Sequence, residues 1–161
     1  MVDPTDVTAA IDHRAFSALL SKYRGAQGGF LKYIVDMDAH VAKALGYFNR
    51  FIAPRGQDAP LHILDIGSGG GQFALVCKHF GHDIICLDQP HLFYDAMTEM
   101  LEIPKVHGSI EPGRGVPNVG YDFDYITAFN IKFDRKDGEF WPVGAWKLLL
   151  ADLAQLLKRD G

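Results

Sequence analysis

The chain has 161 residues, 48% of them hydrophobic, and a formal net charge of -4. That supplies one ordinary core and leaves no room for an independent substrate domain. The acidic balance offers no electrostatic footprint for nucleic acid, no apolar run is long enough for a membrane span, and Met1-Val2-Asp3-Pro4 opens no recognisable signal peptide, which together point to a cytoplasmic protein without nucleic-acid or membrane partners.

Residues 1–60 read as a helical segment. Apolar side chains recur at helical intervals over 15–23 and 36–51, separated by Arg24-Gly25-Ala26-Gln27-Gly28-Gly29, and 54–60 form a short polar linker. The second unit, 61–161, opens with Leu61-His62-Ile63-Leu64-Asp65-Ile66-Gly67-Ser68-Gly69-Gly70-Gly71-Gln72-Phe73. Ile63, Leu64 and Ile66 form the apolar run of a parallel strand covered on both faces. Asp65 interrupts it near its carboxyl end, where an unpaired charge is costly and a ligand would compensate it. The glycines let the backbone turn tightly and approach a bound molecule, and 72–80, closed by Gly81, reads as the following helix.

A second strand is expected over 84–87, with Asp88 at its end about twenty residues beyond the glycine turn, the position where a carboxylate clamps the hydroxyls of an adenosine ribose. The alternative reading of Asp88 is an acidic cap on a helix opening at Pro90. Gln89 follows, within reach of an adenine edge. A helix over 91–102 ends at Pro104, a third strand covers 105–107, and the Gly- and Pro-rich stretch 111–120 is a loop. A leucine stripe over 141–161 reads as a final helix, with Lys158 and Arg159 complementing its carbonyl end. Cys77 and Cys86, placed on a helix and a buried strand, read as reduced thiols. His79 and His82 lack a matching ligand pair, so they read as solvent-facing and no metal is expected.

Two cofactor classes use such a glycine turn. A dinucleotide fingerprint counted from Gly67 puts Gln72 where a small residue is required, and is incomplete. The pattern Asp65-x-Gly67-x-Gly69-x-Gly71 is complete, and resembles the first motif of the class I S-adenosylmethionine-dependent methyltransferases. Tyr121-Asp122-Phe123-Asp124-Tyr125-Ile126-Thr127-Ala128-Phe129-Asn130 resembles their fourth strand and fourth motif. The resemblance implies an α/β, Rossmann-like, mostly parallel sheet with helices on both faces. The chain would supply the first four strands, in the order 3-2-1-4, beside the N-terminal helical segment.

It further implies that the turn containing Gly67, Ser68, Gly69 and Gly71 wraps the methionine part of S-adenosyl-L-methionine while Asp65 engages its amino group. Asp88 would hold the ribose, Gln89 the adenine edge, Ser109 and Ile110 would flank the adenine, and Phe129 and Asn130 would face cofactor and acceptor. In related enzymes an N-terminal helical segment covers the cofactor, which makes Tyr23, Phe30 and Tyr33 candidates for a lid. Asn130-Ile131-Lys132-Phe133 departs from the base-methylating tetrapeptide, so the acceptor is expected to be a small molecule. Asp134 and His91 are candidate bases. Leu156-Leu157-Lys158-Arg159-Asp160-Gly161 resembles the turn leading to the family's fifth strand. The strand over 123–129 is therefore expected at an open sheet edge, which implies self-association through this region or a longer native chain that supplies the missing strands. The alternative to an enzyme is a non-catalytic remnant serving as a cofactor-binding or interaction module.

Overall fold

A computed structural model describes residues 2–26, 28–55, 59–129, 131, 135–136 and 138–159. Its centre is a parallel sheet of β1 (His62–Ile66), β2 (Asp83–Asp88), β3 (Lys105–His107) and β4 (Tyr125–Thr127), in the order β3-β2-β1-β4. Ile63 of β1 pairs with Ile84 of β2 and with Tyr125 of β4. Side chains alternate across the strand, so Ile63, Ile84 and Cys86 enter one core while Leu64, Ile66 and Leu87 enter another on the opposite face. Asp65 follows Ile63 at a period of two, and so faces the first of these cores.

The N-terminal helices α1 (Pro4–Thr8), α2 (His13–Lys22), α3 (Lys32–Val35) and α4 (Met37–Tyr47) lie on that face. Val7, Leu19, Ile34, Met37, Val41 and Leu45 share a core with Ile63 and with α5 (Gln72–His79). Helix α4 continues as a π-helical turn over Phe48–Ile52, whose Phe48 stacks on Phe80 with ring centres 4.4 Å apart. Helix α6 (Leu92–Met100) packs on the same side, while α7 (Val143–Leu156) sends Leu153 and Leu156 into the core on the other face. A hairpin, β5 (Arg135–Lys136) with β6 (Glu139–Phe140), was not anticipated from the sequence; its signal was the Asp137-Gly138 dipeptide.

The expected α/β architecture and strand order are both present. Three details differ. The last helix stops at Leu156 rather than running to the end of the chain, because Leu156 and Lys158 leave it to pair with Phe123. Phe123 N–H donates to the Leu156 carbonyl at 3.0 Å, and Lys158 N–H donates to the Phe123 carbonyl at 2.9 Å. The edge is thus covered at Phe123, two residues before β4, where an open edge over 123–129 was expected, and the Lys158 ammonium pairs with Asp124 at 2.8 Å. Finally, His82 is 6% exposed, not solvent-facing: its ring stacks on Phe48, and its Nδ1 accepts the Leu61 N–H at 3.2 Å. His79 is exposed, as expected.

Two glycines in helical surroundings differ in what they require. Gly71 caps α5 with φ +80°, and a Cβ there would stand 3.1 Å from Ile103 Cδ1 and from Thr98 Cγ2. Gly46 lies near the end of α4, has no positive φ, and a Cβ there would meet nothing within 4 Å. Gly71→Ala should therefore destabilise the fold by about 1–2 kcal/mol, the usual cost of a left-handed alanine. Gly46→Ala should stabilise it by about 0.4–1 kcal/mol. Urea unfolding at constant slope checks both, as midpoints moving in opposite directions.

Candidate functional site

The carboxyl ends of β1 and β2 carry two acidic side chains in different surroundings. Asp65 is 3% exposed, and burial pushes its carboxyl up to about 7, against a hydrogen bond from Thr127 that works the other way. Thr127 Oγ1 donates to Asp65 Oδ1 at 2.7 Å across the β1–β4 pair, where the two residues are in register. Thr127 was not picked out from the sequence. The available signal was its place two residues beyond Tyr125, on the same face of the neighbouring strand.

Asp88 is half-buried and held by backbone donors. Its Oδ2 accepts the Gly69 N–H at 2.7 Å and its Oδ1 accepts the Gln89 N–H at 2.8 Å. The glycine turn is thereby tied to the end of the adjacent strand, and Gly67 N–H donates to the Leu87 carbonyl at 2.7 Å. Gly71 N–H closes the turn onto the Ser68 carbonyl at 3.0 Å. Gly67 has φ +70°, and a Cβ there would collide with the Ile131 side chain, which packs directly against this glycine. A Cβ on Gly69 would meet open space, although its φ of +53° still favours glycine.

Two clefts flank this turn. One, of about 310 Å³, has Asp65, Gly67, Ser68 and Gly69 on its floor and Phe129 on its wall, under residues of α3 and α4. The other, of about 240 Å³, is bounded by Asp88, Gln89, Ser109 and Ile110, with Gly67 and Ile131 between the two. The structure brings Asp65, Gly67, Ser68, Gly69 and Phe129 together in the first cleft, and Asp88, Gln89, Ser109 and Ile110 in the second. Gly71 sits behind the turn as the cap of α5. Ser109 spends its hydroxyl on Glu111 Oε1 at 3.1 Å. Asn130 and Asp134 lie outside the described residues.

The lid is only partly as expected. Tyr33 lines the first cleft, and Gln72 Nε2 donates to its carbonyl at 3.0 Å, latching α3 to the start of α5. Tyr23 and Phe30 pack instead on Phe93 of α6, with ring centres 5.0 and 4.8 Å from it, and the Tyr23 hydroxyl donates to the Leu92 carbonyl. Tyr47 and His40 complete the wall and were not singled out. Tyr47 stacks on Phe129 at 4.3 Å with the rings 6° from parallel, and His40 lies on Tyr33 at 4.5 Å. His91 caps α6: its Nδ1 accepts the Tyr94 N–H, while its own N–H donates to Asp95. That commits its Nδ1 to the helix end.

Both cysteines are buried, with burial pushing the Cys86 thiol up to about 12 and the Cys77 thiol above its ordinary value, so neither offers a thiolate. Among the described residues, no group of three His, Cys, Asp or Glu side chains is placed to hold a metal ion, and no helix is long and apolar enough to cross a membrane.

No family profile and no curated protein matches the chain. Solved structures do. DesVI from Streptomyces venezuelae superposes with a TM-score of 0.55 at 18% identity, over 94% of this chain and 55% of that one. CalS10, an S-adenosylmethionine-bound amino pentose methyltransferase from Micromonospora echinaspora, gives 0.52 at 19% identity, over 86% and 50%. A coclaurine N-methyltransferase bound to N-methylheliamine and S-adenosylhomocysteine gives 0.55 at 17% identity, over 77% and 34%. The chain spans about half the length of the first two and a third of the last. With its strands in the order 3-2-1-4 and its glycine turn at the end of β1, the chain has the Rossmann-like fold of the S-adenosylmethionine-dependent methyltransferases.

Proposed function

We propose that the protein binds S-adenosyl-L-methionine across the glycine turn and transfers its methyl group to a small-molecule acceptor. The observation that carries this reading is the pair of carboxylates on either side of Gly69. Asp65 is buried and accepts the Thr127 hydroxyl, and Asp88 is fixed by backbone N–H groups at the mouth of the second cleft. Two carboxyl groups so placed would meet a cationic amino group at one end and the hydrogen-bond donors of a neutral ribose diol at the other. No diphosphate has to be neutralised, which suits a turn flanked by acids better than a dinucleotide would.

The residues present fit the cofactor. Asp65 would take the amino group of the methionine part, the Gly67–Gly69 backbone would pass beneath the sulfonium, and Asp88 would accept from the ribose hydroxyls. Gln89, Ser109 and Ile110 would surround the adenine, with Ile110 against its face. Phe129 would border the reacting methyl, and Asn130 is proposed to face the acceptor from the same strand end. When bound, the sulfonium supplies an electrophilic methyl carbon. The protein's share is to hold the acceptor in line with it and to exclude water, for which the Tyr47–Phe129 stack and the helical cover of residues 1–60 are suited. Residues 61–161 would then be the cofactor-binding unit, and a cytoplasmic setting fits its free cysteines.

S-Adenosylhomocysteine should bind more tightly than NAD by calorimetry. Asp88→Ala should weaken it by about 1.5–3 kcal/mol, the range for hydrogen bonds to a charged acceptor. Preference for NAD, or an unchanged affinity in Asp88→Ala, would refute the cofactor. Labelled product from a small acceptor would establish transfer, and binding without any labelled product would favour a cofactor-binding module.

The raised carboxyl of Asp65 adds a pH dependence with a definite sign. Between the ordinary value of 3.8 and about 7 the folded protein holds a proton that the unfolded chain has lost, so this group makes the cofactor-free fold less stable as pH rises through that window. An ammonium on Asp65 favours the carboxylate, so affinity for S-adenosylhomocysteine should fall about tenfold per pH unit below 7 and level off above it. Asp65→Asn should flatten the profile. Calorimetry in buffers of different ionisation enthalpy should register about one proton released near pH 6 in the wild type only.

We also propose that the outer side of β4 beyond Phe123 is a self-association surface, since the exposed Leu150 of α7 borders a groove with Ile126, Thr127 and Ala128. Light scattering across a concentration series should show a rising mass, reduced in Leu150→Lys.

A further inference from the structure

The N-terminal helices enclose a third cleft, separate from the two that flank the glycine turn. Helix α3 divides it from the first: Lys32 and Tyr33 border the cleft over Asp65, whereas Ile34 and Val35 border this one. Its volume is about 430 Å³, larger than the 310 Å³ over Asp65 and within the range of small-molecule pockets. Ile11, Ile34 and Met37 are buried around it and Phe16 is half-buried, while Val35 stands 65% exposed at its edge.

Two exposed carboxylates, Asp36 and Asp38, share that border. Asp3 and Asp12, which precede α1 and α2, each accept backbone N–H groups of their own helix. Asp36 holds the same position ahead of α4 but makes no such bond, and no side-chain hydrogen bond or ion pair joins it to another described residue. Asp38 is oriented by the Thr8 hydroxyl, which donates to its Oδ1 at 2.8 Å.

We propose that this cleft binds a small organic ammonium ion with an apolar body, of the arylalkylamine kind, at a site separate from the one given to the cofactor. The inference stands apart from the methyl-donor reading. Ile11, Phe16, Ile34 and Met37 offer the body an apolar seat, and Val35 gains cover when it is filled. The two carboxylates outweigh the roughly half positive charge at the start of α4, so the border stays negative. An ammonium is attracted by both, and a ligand carboxylate is repelled by both. A neutral ligand would strip water from Asp36 without returning a donor. The size of the cleft matches one small molecule, whereas an amphipathic helix would need a groove several turns long.

Calorimetry and backbone-amide spectra of the full chain test this with three probes of matched shape: 4-phenylbutylammonium, 4-phenylbutan-1-ol and 4-phenylbutanoate. His13 is the basic side chain on the border, so the titrations are run at about pH 8, above the ordinary imidazole range. The ammonium should bind at millimolar strength or better and shift the amides of 34–39. It should exceed the alcohol by about fivefold, the upper end for an exposed ion pair, and the butanoate should not bind. Asp36→Asn and Asp38→Asn should each weaken the ammonium by about two- to fivefold and leave the alcohol unchanged. Val35→Lys, at an exposed position that tolerates it, should abolish ammonium binding by placing a like charge at the edge. Saturating S-adenosylhomocysteine should leave ammonium affinity within about threefold, as expected of sites without shared contacts.

No binding of the ammonium, equal or tighter binding of the alcohol or the butanoate, or unchanged affinity in both aspartate variants would overturn the proposal. Displacement of the ammonium by S-adenosylhomocysteine, or amide shifts confined to 65–72, would assign the amine to the cofactor's cleft and overturn it as well. Failure to bind S-adenosylhomocysteine, with the ammonium still bound at 34–39, would strike the donor reading alone.

Discussion

A carboxylate buried between two strands governs the rest of this molecule. Asp65 stands where the alternation of β1 would otherwise place another apolar side chain in the core shared by α4 and α5. Ionising it there is costly, which is why its carboxyl titrates near 7. The Thr127 hydroxyl offsets part of that cost, and requires β4 to pair with β1 in the register that sets the two residues opposite each other. The position of a fourth strand is therefore bound up with the protonation state of a residue on the first.

The second acidic group solves a different problem. Asp88 holds the glycine turn in place through the Gly69 N–H, so the turn is fixed from the neighbouring strand and not by its own side chains. That division leaves the backbone of the turn accessible on two sides. Each cleft then acquires its character from the elements that roof it: aromatic and basic residues from α3 and α4 over Asp65, and loop residues after β3 beside Asp88. The opposite ends of the same strands are closed by ordinary means, with His82 taking the Leu61 N–H and Lys158 bracing Asp124.

How far the sequence disclosed this depended on whether the governing contact was local. The turn from Asp65 to Gly71, the third strand after Pro104, and the end of α5 before Gly81 are written in neighbouring residues, through glycine conformations and a proline stop, and the structure matches them closely. The partners that give the site its chemistry come from far along the chain. Thr127 meets Asp65 across 62 positions. His40 and Tyr47 enter from a helix whose periodicity shows an apolar stripe but not what lies opposite its polar flank. Tyr23 and Phe30 were misplaced for the same reason: helical spacing marks them as interior without saying that Phe93, and not the cleft, is their neighbour. The early end of α7 was hidden because only the tertiary pairing of Phe123 with Leu156 and Lys158 terminates it.

Gln72, the residue that spoils the dinucleotide pattern, ties three elements together. Its amide donates to the Tyr33 carbonyl at 3.0 Å and reaches Met37 Sδ at 4.0 Å. A neutral hydrogen bond contributes about 1 kcal/mol net, so the seat of α3 rests mainly on Ile34, buried in the core, and on the edge contact of Tyr33 with Tyr94. The side chain that is too large for one kind of turn thus becomes the joint at which α3, the first turn of α4 and the start of α5 meet.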